Sequence, residues 1–280
     1  MTTPLARFRA FLFDLDGTLA YPTGAVPGAA ELIGALKGRG KGVAVVTNNS
    51  RLSRRQLTAT LRRYRIPLDE KEVITAVTAT ARFVAGRSAG ARVLVVGSAG
   101  LRAELAAHGL ALVDGPPADY VVAGVDPRLS YRKLARAVDA LLGGAAFVAV
   151  NVDRFIPTAG GGRLPGAALV VGALEAVVGR PPDVVVGKPG PGLILEACRT
   201  VGVAPNEAIL VGDSLSTDLP AARAAGTAFG LVLSGVSSRA ELGGADGPDY
   251  VFEKPTDILR ALEGAAPPVD GGGPGRLKWP

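Results

Sequence analysis

Two aspartates one residue apart, Asp14 and Asp16, close the first apolar run of the chain, Ala10-Phe11-Leu12-Phe13-Asp14-Leu15-Asp16-Gly17-Thr18-Leu19. Two carboxylates so placed can divide a reaction between them. One attacks an electrophile or holds a metal, and the other passes a proton to a leaving group. A buried strand of an open α/β sheet delivers such side chains to the crevice outside its carboxyl end, and Gly17 lets the backbone turn sharply there. The plain alternative is that Asp16-Gly17 is a surface turn with an incidental second acid.

Three later stretches bear on that choice. Thr47-Asn48 follows the apolar run 42–46 and offers a hydroxyl and backbone N–H groups to phosphate oxygens. Lys188, in Gly187-Lys188-Pro189, supplies a cation that can neutralise both a nucleophilic carboxylate and the phosphoryl group it attacks. Val211-Gly212-Asp213-Ser214-Leu215-Ser216-Thr217-Asp218 adds two acids that can complete an oxygen-ligand site suited to Mg²⁺. Singly, each has a dull explanation: Thr47 caps a turn, Lys188 is solvated, and Asp213 and Asp218 are helix-start acids. The dull explanations do not predict their joint appearance at successive strand ends.

Strands must carry these residues. Short Val/Ile/Ala-rich runs alternate with amphipathic stretches, the pattern of βα units around a parallel sheet. Strands are expected to end at Leu12-Phe13 and to span 42–47, 92–96, 120–122, 146–150, 184–186, 208–211, 231–233 and 250–252. A second set of elements begins near 73–75. Helices are expected over 29–36, from the capping box Ser53 to Gln56 as far as about 64, and over 101–108, 130–142, 167–178, 193–199, 219–225 and 256–262. Leu134, Val138, Leu141 and Leu142 fall on one face of the 130–142 helix. No linker composition separates two independent domains, so the middle set is expected to be inserted into the first sheet.

The 280 residues suffice for one large or two ordinary domains, and a hydrophobic content of 48% excludes a disordered chain. No apolar stretch approaches the ~20 residues that span a bilayer, so no membrane partner is expected. The short run ending at Asp14 is no signal peptide. Cys198 is the single cysteine and sits in a helical pattern, as a buried inert thiol of a cytoplasmic protein would. The formal charge is +6 and the isoelectric point about 9.7. Arg51, Arg54, Arg55, Arg62, Arg63 and Arg65 are helix-spaced, yet aromatics are only 5% and no nucleic-acid-binding signature accompanies them. A solvated helix face is expected, with no nucleic-acid partner and a mild positive field that draws in small anions. His108 is the only histidine, which nearly excludes a histidine-based phosphatase mechanism; it is expected at the surface near a helix end.

The assembled stretches resemble the haloacid dehalogenase superfamily of aspartate-nucleophile phosphohydrolases. Asp14-Leu15-Asp16-Gly17-Thr18 is similar to its first motif, Val46-Thr47-Asn48-Asn49 to its second, Lys188 to its third, and Gly212-Asp213 through Asp218 to its fourth. The insertion between Thr47 and Lys188 resembles the α/β (class IIA) cap of the subgroup containing NagD-like, p-nitrophenyl phosphatase-like and phosphoglycolate phosphatase-like enzymes. Asn151-Val152-Asp153, Pro157-Thr158, Pro165-Gly166-Ala167 and Gly187-Lys188-Pro189 carry that part of the likeness. The resemblance implies an α/β fold, with a Rossmann-like parallel-sheet core over 1–75 and 183–264. It also implies a smaller α/β cap over 76–182, leaving 265–280 as a poorly ordered tail.

It further implies an Mg²⁺-dependent hydrolase of a small phosphorylated metabolite, such as a sugar phosphate, glycerol phosphate or phosphoglycolate. Asp14 would be the nucleophile. Asp16 would protonate the leaving alcohol and then activate water. Leu15, Asp16, Thr47, Asn48 and Lys188 would hold the phosphoryl group. Asp14, the Asp16 backbone carbonyl and Asp213 would bind the metal, with Asp218 in support. Asn151, Asp153 and the Gly160-Gly161-Gly162 loop would reach down from the cap, which is expected to pair in a homodimer; a turn-capping role is the alternative for Asp153. A phosphomutase also needs Asp14 and Asp16 but usually carries a helical cap, and a dehalogenase proper does not need Asp16. A non-catalytic phospho-metabolite-binding protein would be free to lose the acids and Lys188. Val95-Val96-Gly97-Ser98-Ala99-Gly100 lacks the G-x-G-x-x-G spacing of a dinucleotide site and is more simply a tight βα turn.

Overall fold

Strand Ala10–Phe13 is buried along its whole length, and its alternate side chains enter two different cores. Ala10 and Leu12 pack with Ala44, Val46 and Leu210, whereas Phe11 and Phe13 pack with Val43, Val45, Ile209 and Val211. A strand apolar on both faces belongs inside a parallel sheet covered by helices. In the computed structural model, which describes residues 4–21, 23–50, 52–157, 163–242 and 247–263, it lies between Gly42–Thr47 and Ala208–Gly212. Val73–Thr75 extends one flank, and Ala228–Val232 and Tyr250–Phe252 the other, giving six parallel strands. Arg51, Thr158, the Gly160-Gly161-Gly162 loop and the tail 265–280 lie outside the described residues.

Counted along the chain, this sheet has the order 3-2-1-4-5-6. The order reverses between Ala10–Phe13 and Ala208–Gly212. At such a reversal the connecting helices leave on opposite faces, and a crevice opens at the carboxyl ends of the strands.

A second sheet holds five parallel strands, Arg92–Val96, Ala111–Val113, Tyr120–Ala123, Ala146–Ala149 and Val184–Val185, in the order 2-1-3-4-5. The chain is therefore α/β with a smaller parallel unit inserted in the larger one. Val184–Val185 corrects one expected boundary. The sequence places 183 onward with the first sheet, but this strand hydrogen-bonds to Ala146–Ala149 and completes the second.

Most elements form where patterning and capping direct them. Ser53 and Gln56 close the expected capping box on helix Arg54–Arg63. Ser98 ends the Arg92–Val96 run and caps helix Ala99–Ala107, so this glycine-containing segment is a βα turn. Helix Ala76–Arg87 was not expected. Seven of its twelve residues are buried, including Thr78 and Thr80, and the Thr80 hydroxyl donates back to the Ala76 carbonyl at 2.7 Å. A helix enclosed on most sides shows no amphipathic stripe. It packs against helices Ala99–Ala107 and Gly192–Val201, within the apolar cluster that joins the two sheets.

Helix Tyr131–Leu142 buries Ala137, Ala140 and Leu141, but Leu142 is exposed, contrary to the face expected for it. Arg54 also departs from the solvated face expected of the arginines. Its Nε and Nη2 are shielded from solvent, whereas Arg55, Arg62, Arg63 and Arg65 are exposed. No helix among the described residues is long and apolar enough to cross a membrane.

Candidate active site

The backbone leaves Ala10–Phe13 through one further sheet bond, from the Asp14 N–H to the Val211 carbonyl at 2.8 Å. It then winds around a single acceptor. The Leu15 carbonyl receives the N–H groups of Thr18, Leu19 and Ala20, closing a tight loop with Gly17 at φ +87°. This loop turns Asp14 inward and leaves Asp16 exposed. The Thr18 hydroxyl is buried there without a hydrogen-bond partner.

Asp14 meets two acids from the strand on the far side of the reversal. Carboxylate oxygens of Asp14, Asp213 and Asp218 lie within 4.8 Å of one another, and all three residues are buried. Lys188 Nζ donates to Asp14 Oδ1 and, at 2.7 Å, to Asp218 Oδ1. Asp218 Oδ2 accepts from the Ser214 N–H at 3.1 Å, so this first residue of helix Asp218–Ala225 serves the cluster as well as the helix start. Three glycines make room. A Cβ on Gly17 or Gly235 would collide with the Asp213 carboxylate, and one on Gly212 with that of Asp218.

The electrostatics follow from this crowding. Burial pushes the Asp14 carboxyl well above its ordinary range despite Lys188, and Asp218, Asp213 and Asp16 push the same way. Burial and the neighbouring Asp218 raise Asp213 to about 6, against the hydrogen bond from the Val236 N–H at 2.8 Å. Burial alone would lower Lys188, but the carboxylates of Asp14 and Asp218 outweigh it and hold the ammonium above the ordinary lysine range. One ammonium beside three buried carboxylates leaves an excess of negative charge. A set of hard oxygen donors with unbalanced negative charge fits a divalent cation such as Mg²⁺.

The sequence did not single out the Asn48 side chain, which forms the hub of the site. Asn48 Oδ1 accepts from the Lys188 N–H at 2.8 Å, and Nδ2 donates to the Lys188 carbonyl at 2.9 Å. The same Nδ2 donates to Asp153 Oδ1 at 2.9 Å, and Asn151 Nδ2 donates to the Asn48 carbonyl at 2.8 Å. Asn151 Oδ1 accepts from the Asp153 N–H at 3.1 Å. Both residues follow the Ala146–Ala149 strand, so Asn151 and Asp153 reach the first sheet from the second. Burial raises the Asp153 carboxyl, the Asn48 hydrogen bond and Lys188 oppose this, and Asp218 and Asp16 add to it. Gly187 is again a space requirement, because a Cβ there would press on Asn48 Oδ1 and the Val150 carbonyl. Thr47 is buried at the strand end, where its hydroxyl oxygen accepts from the Asn49 N–H at 3.0 Å.

The loop after Ala228–Val232 is a second contributor that the sequence did not single out. Ser234 Oγ donates to the Gly17 carbonyl at 2.8 Å, the Ser237 N–H donates to the Asp213 carbonyl at 3.0 Å, and Tyr21 Oη donates to the Ser234 carbonyl at 2.6 Å. Its signal was the polar run Leu233-Ser234-Gly235-Val236-Ser237-Ser238 after an apolar strand of the same sheet. His108 ends helix Ala99–Ala107, half-buried beside Glu104, and burial raises the Cys198 thiol to about 11.

Comparisons with known proteins agree with this geometry. A family model described as haloacid dehalogenase-like hydrolase matches residues 11–111, and a second, described as haloacid dehalogenase (HAD) hydrolase-like, matches 185–258. The chain is 33% identical over 260 residues to an acid sugar phosphatase of Staphylococcus aureus, covering 92% of this chain and 100% of that one. A p-nitrophenyl phosphatase from Archaeoglobus fulgidus superposes with a TM-score of 0.84 at 35% identity, over 91% of this chain and 99% of that one. A glycerol phosphate phosphatase from Mycobacterium tuberculosis, solved with magnesium, gives 0.83 at 34% identity over 94% and 78%. The chain thus belongs to the haloacid dehalogenase-like hydrolases, as an enzyme of the phosphatase branch that includes the NagD-like and p-nitrophenyl phosphatases.

Proposed function

We propose that this chain hydrolyses the phosphate monoester of a small sugar or polyol, with Asp14 as the nucleophile and Mg²⁺ as the cofactor. The observation that carries the reading is the buried Lys188 ammonium between Asp14 and Asp218, with Asp213 alongside, at the reversal of the first sheet. The names of the relatives, acid sugar phosphatase and glycerol phosphate phosphatase, support the substrate class.

Asp14 Oδ attacks phosphorus, the bond from phosphorus to the ester oxygen breaks, and the leaving alkoxide takes a proton from Asp16. Water then attacks the phosphorus of the aspartyl phosphate while Asp16 takes its proton, and the bond to Asp14 breaks to release inorganic phosphate. Lys188 balances the charge of the nucleophile and of the incoming phosphoryl group. The Thr47 hydroxyl and the backbone N–H groups of Leu15, Asp16 and Asn48 hold the phosphoryl oxygens. Asp14, Asp213 and the Asp16 carbonyl would hold the metal, with Asp218 supporting, and Mg²⁺ when bound would offset the repulsion between carboxylate and phosphate. Residues 76–182, joined by the strand at 184–185, would act as the cap, with Asn151 and Asp153 at its contact with the site.

The test is phosphate release from a panel of esters. Turnover of p-nitrophenyl phosphate is expected, abolished by EDTA and restored by Mg²⁺. Asp14→Asn is expected to remove it, because an amide cannot form the acyl phosphate. Retained turnover in that variant would reject Asp14 as the nucleophile. Asp16→Ala should cost more on glycerol phosphate than on p-nitrophenyl phosphate, whose leaving group needs little protonation; equal losses would reject the acid role of Asp16.

A further inference from the structure

A cavity of about 270 Å³ opens beside the second sheet, against the strands Arg92–Val96 and Ala111–Val113. In the order 2-1-3-4-5, the first strand, Arg92–Val96, is flanked by Ala111–Val113 on one side and Tyr120–Ala123 on the other.

Cations predominate among the charged side chains around this cavity. Leu94 and Val95 from the first strand and Val113 and Asp114 from the end of the second form its floor. Arg102 enters from helix Ala99–Ala107, and Arg132, Lys133 and Arg136 enter from helix Tyr131–Leu142. Four cations thus converge from two helices. Two are matched, since Lys133 Nζ pairs with Asp126 at 2.7 Å and Arg102 approaches Asp114 at 3.6 Å. Arg132 and Arg136, one helical turn apart, both line the cavity, are exposed, and form no ion pair among the described residues. An anion relieves the repulsion among cations that share one cavity, and the planar guanidinium fork suits phosphate oxygens.

We propose that this cavity binds the phosphate group of a small metabolite, at a site separate from the acid cluster. A volume just below the usual range of ligand pockets, lined by four cations and one carboxylate, suits a phosphate or a short phosphate ester. The site also has a physical link to the first sheet. Arg102 lies one turn into the helix that Ser98 caps, and Ser98 Oγ donates to the Ser50 carbonyl at 3.0 Å, two residues beyond Asn48.

The test uses the full chain and reads individual arginines. Phenylglyoxal modification is followed by peptide mass spectrometry with and without inorganic phosphate or glycerol 3-phosphate, against sodium chloride of equal ionic strength. Both phosphates should slow modification of Arg132 and Arg136 by about tenfold and leave the exposed Arg55 and Arg62 unchanged. The paired variants Arg132→Gln/Arg136→Gln and Arg132→Glu/Arg136→Glu should bind inorganic phosphate at this site on the order of 100-fold more weakly. Their turnover of p-nitrophenyl phosphate should stay within twofold, which separates this site from the hydrolytic one. Equal modification rates with phosphate and with chloride, or unchanged phosphate binding in both variants, would overturn the proposal.

Discussion

The first sheet gathers acids at its strand-order reversal, and the second gathers cations in a cavity beside its first two strands. In the first, acids from Ala10–Phe13 and Ala208–Gly212 meet behind closely packed backbone, with a single ammonium among them. In the second, cations from two helices surround an open cavity, and two of them are exposed. Topology selects where side chains converge, and burial then decides what their convergence costs. Charges buried together must be balanced nearby, while exposed charges are balanced by water and salt.

That contrast can be broken most severely at Lys188. Lys188→Met removes the only ammonium that pairs with Asp14 and Asp218 among the described residues, leaving buried carboxylates unpaired. Without metal, urea denaturation should show a loss of about 3–5 kcal/mol. Turnover should fall by roughly 1,000-fold or more. A variant as stable and active as the parent would mean that the acids are far better solvated than their burial indicates.

A pH series sharpens the same point. Asp213 holds its proton up to about pH 6 in the folded chain, against an ordinary value of 3.8. The native state therefore binds more protons than the unfolded one between these values. In EDTA, stability should fall as pH rises from about 4 to about 6, by on the order of 3 kcal/mol, and the contribution should level off above that. Mg²⁺ held by Asp213 as proposed would compete with this proton, so its affinity should climb through the same window. Stability that rises with pH over that interval would contradict the assignment.

A smaller effect is expected at the hub. Asn48→Ala leaves the backbone N–H of residue 48 in place but removes both bonds to the Lys188 peptide and the bond to Asp153. The lysine would be less well positioned, lowering kcat by about tenfold while Tm stays within about 5 °C. A Tm collapse with unchanged kcat would make Asn48 a purely structural residue. The smallest effect belongs to the surface of the second sheet. Arg92 holds Asp119 in a two-pronged pair there, and the carboxyl is lowered to about 2 by hydrogen bonds from the Arg92 side chain and backbone. Even so, Asp119→Ala should move Tm by no more than about 2 °C, because both groups remain in water.

How much of this could be foreseen depended on the range of the signal. Periodicity, the Ser53 cap and the acids after apolar runs are local, and they located four strands of the first sheet and brought forward Asp14, Lys188, Asp213 and Asp218. Val73–Thr75 was instead expected to start the second set, and Ala228–Val232 was expected at 231–233. Helix Ala76–Arg87 escaped because it is enclosed by neighbours from both sheets and so shows no polar face. Val184–Val185 was assigned to the wrong sheet because a two-residue strand carries no mark of its partner. The roles of Asn48 and of Gly235 depend on residues more than 100 and more than 20 positions away respectively, and no spacing rule reaches that far.

The bonds among Asn48, Lys188, Asn151 and Asp153 bear on how such a protein could be recombined. Transplanting the inserted unit from a relative would sever them unless the donor supplied an amide and an acid matched in length to Asn151 and Asp153. A chimera lacking them could fold in both halves and still leave its ammonium misdirected. Under the proposed function, the seam between the two units is part of the catalytic machinery, and an exchange of modules is constrained at these side chains more than at the covalent junctions.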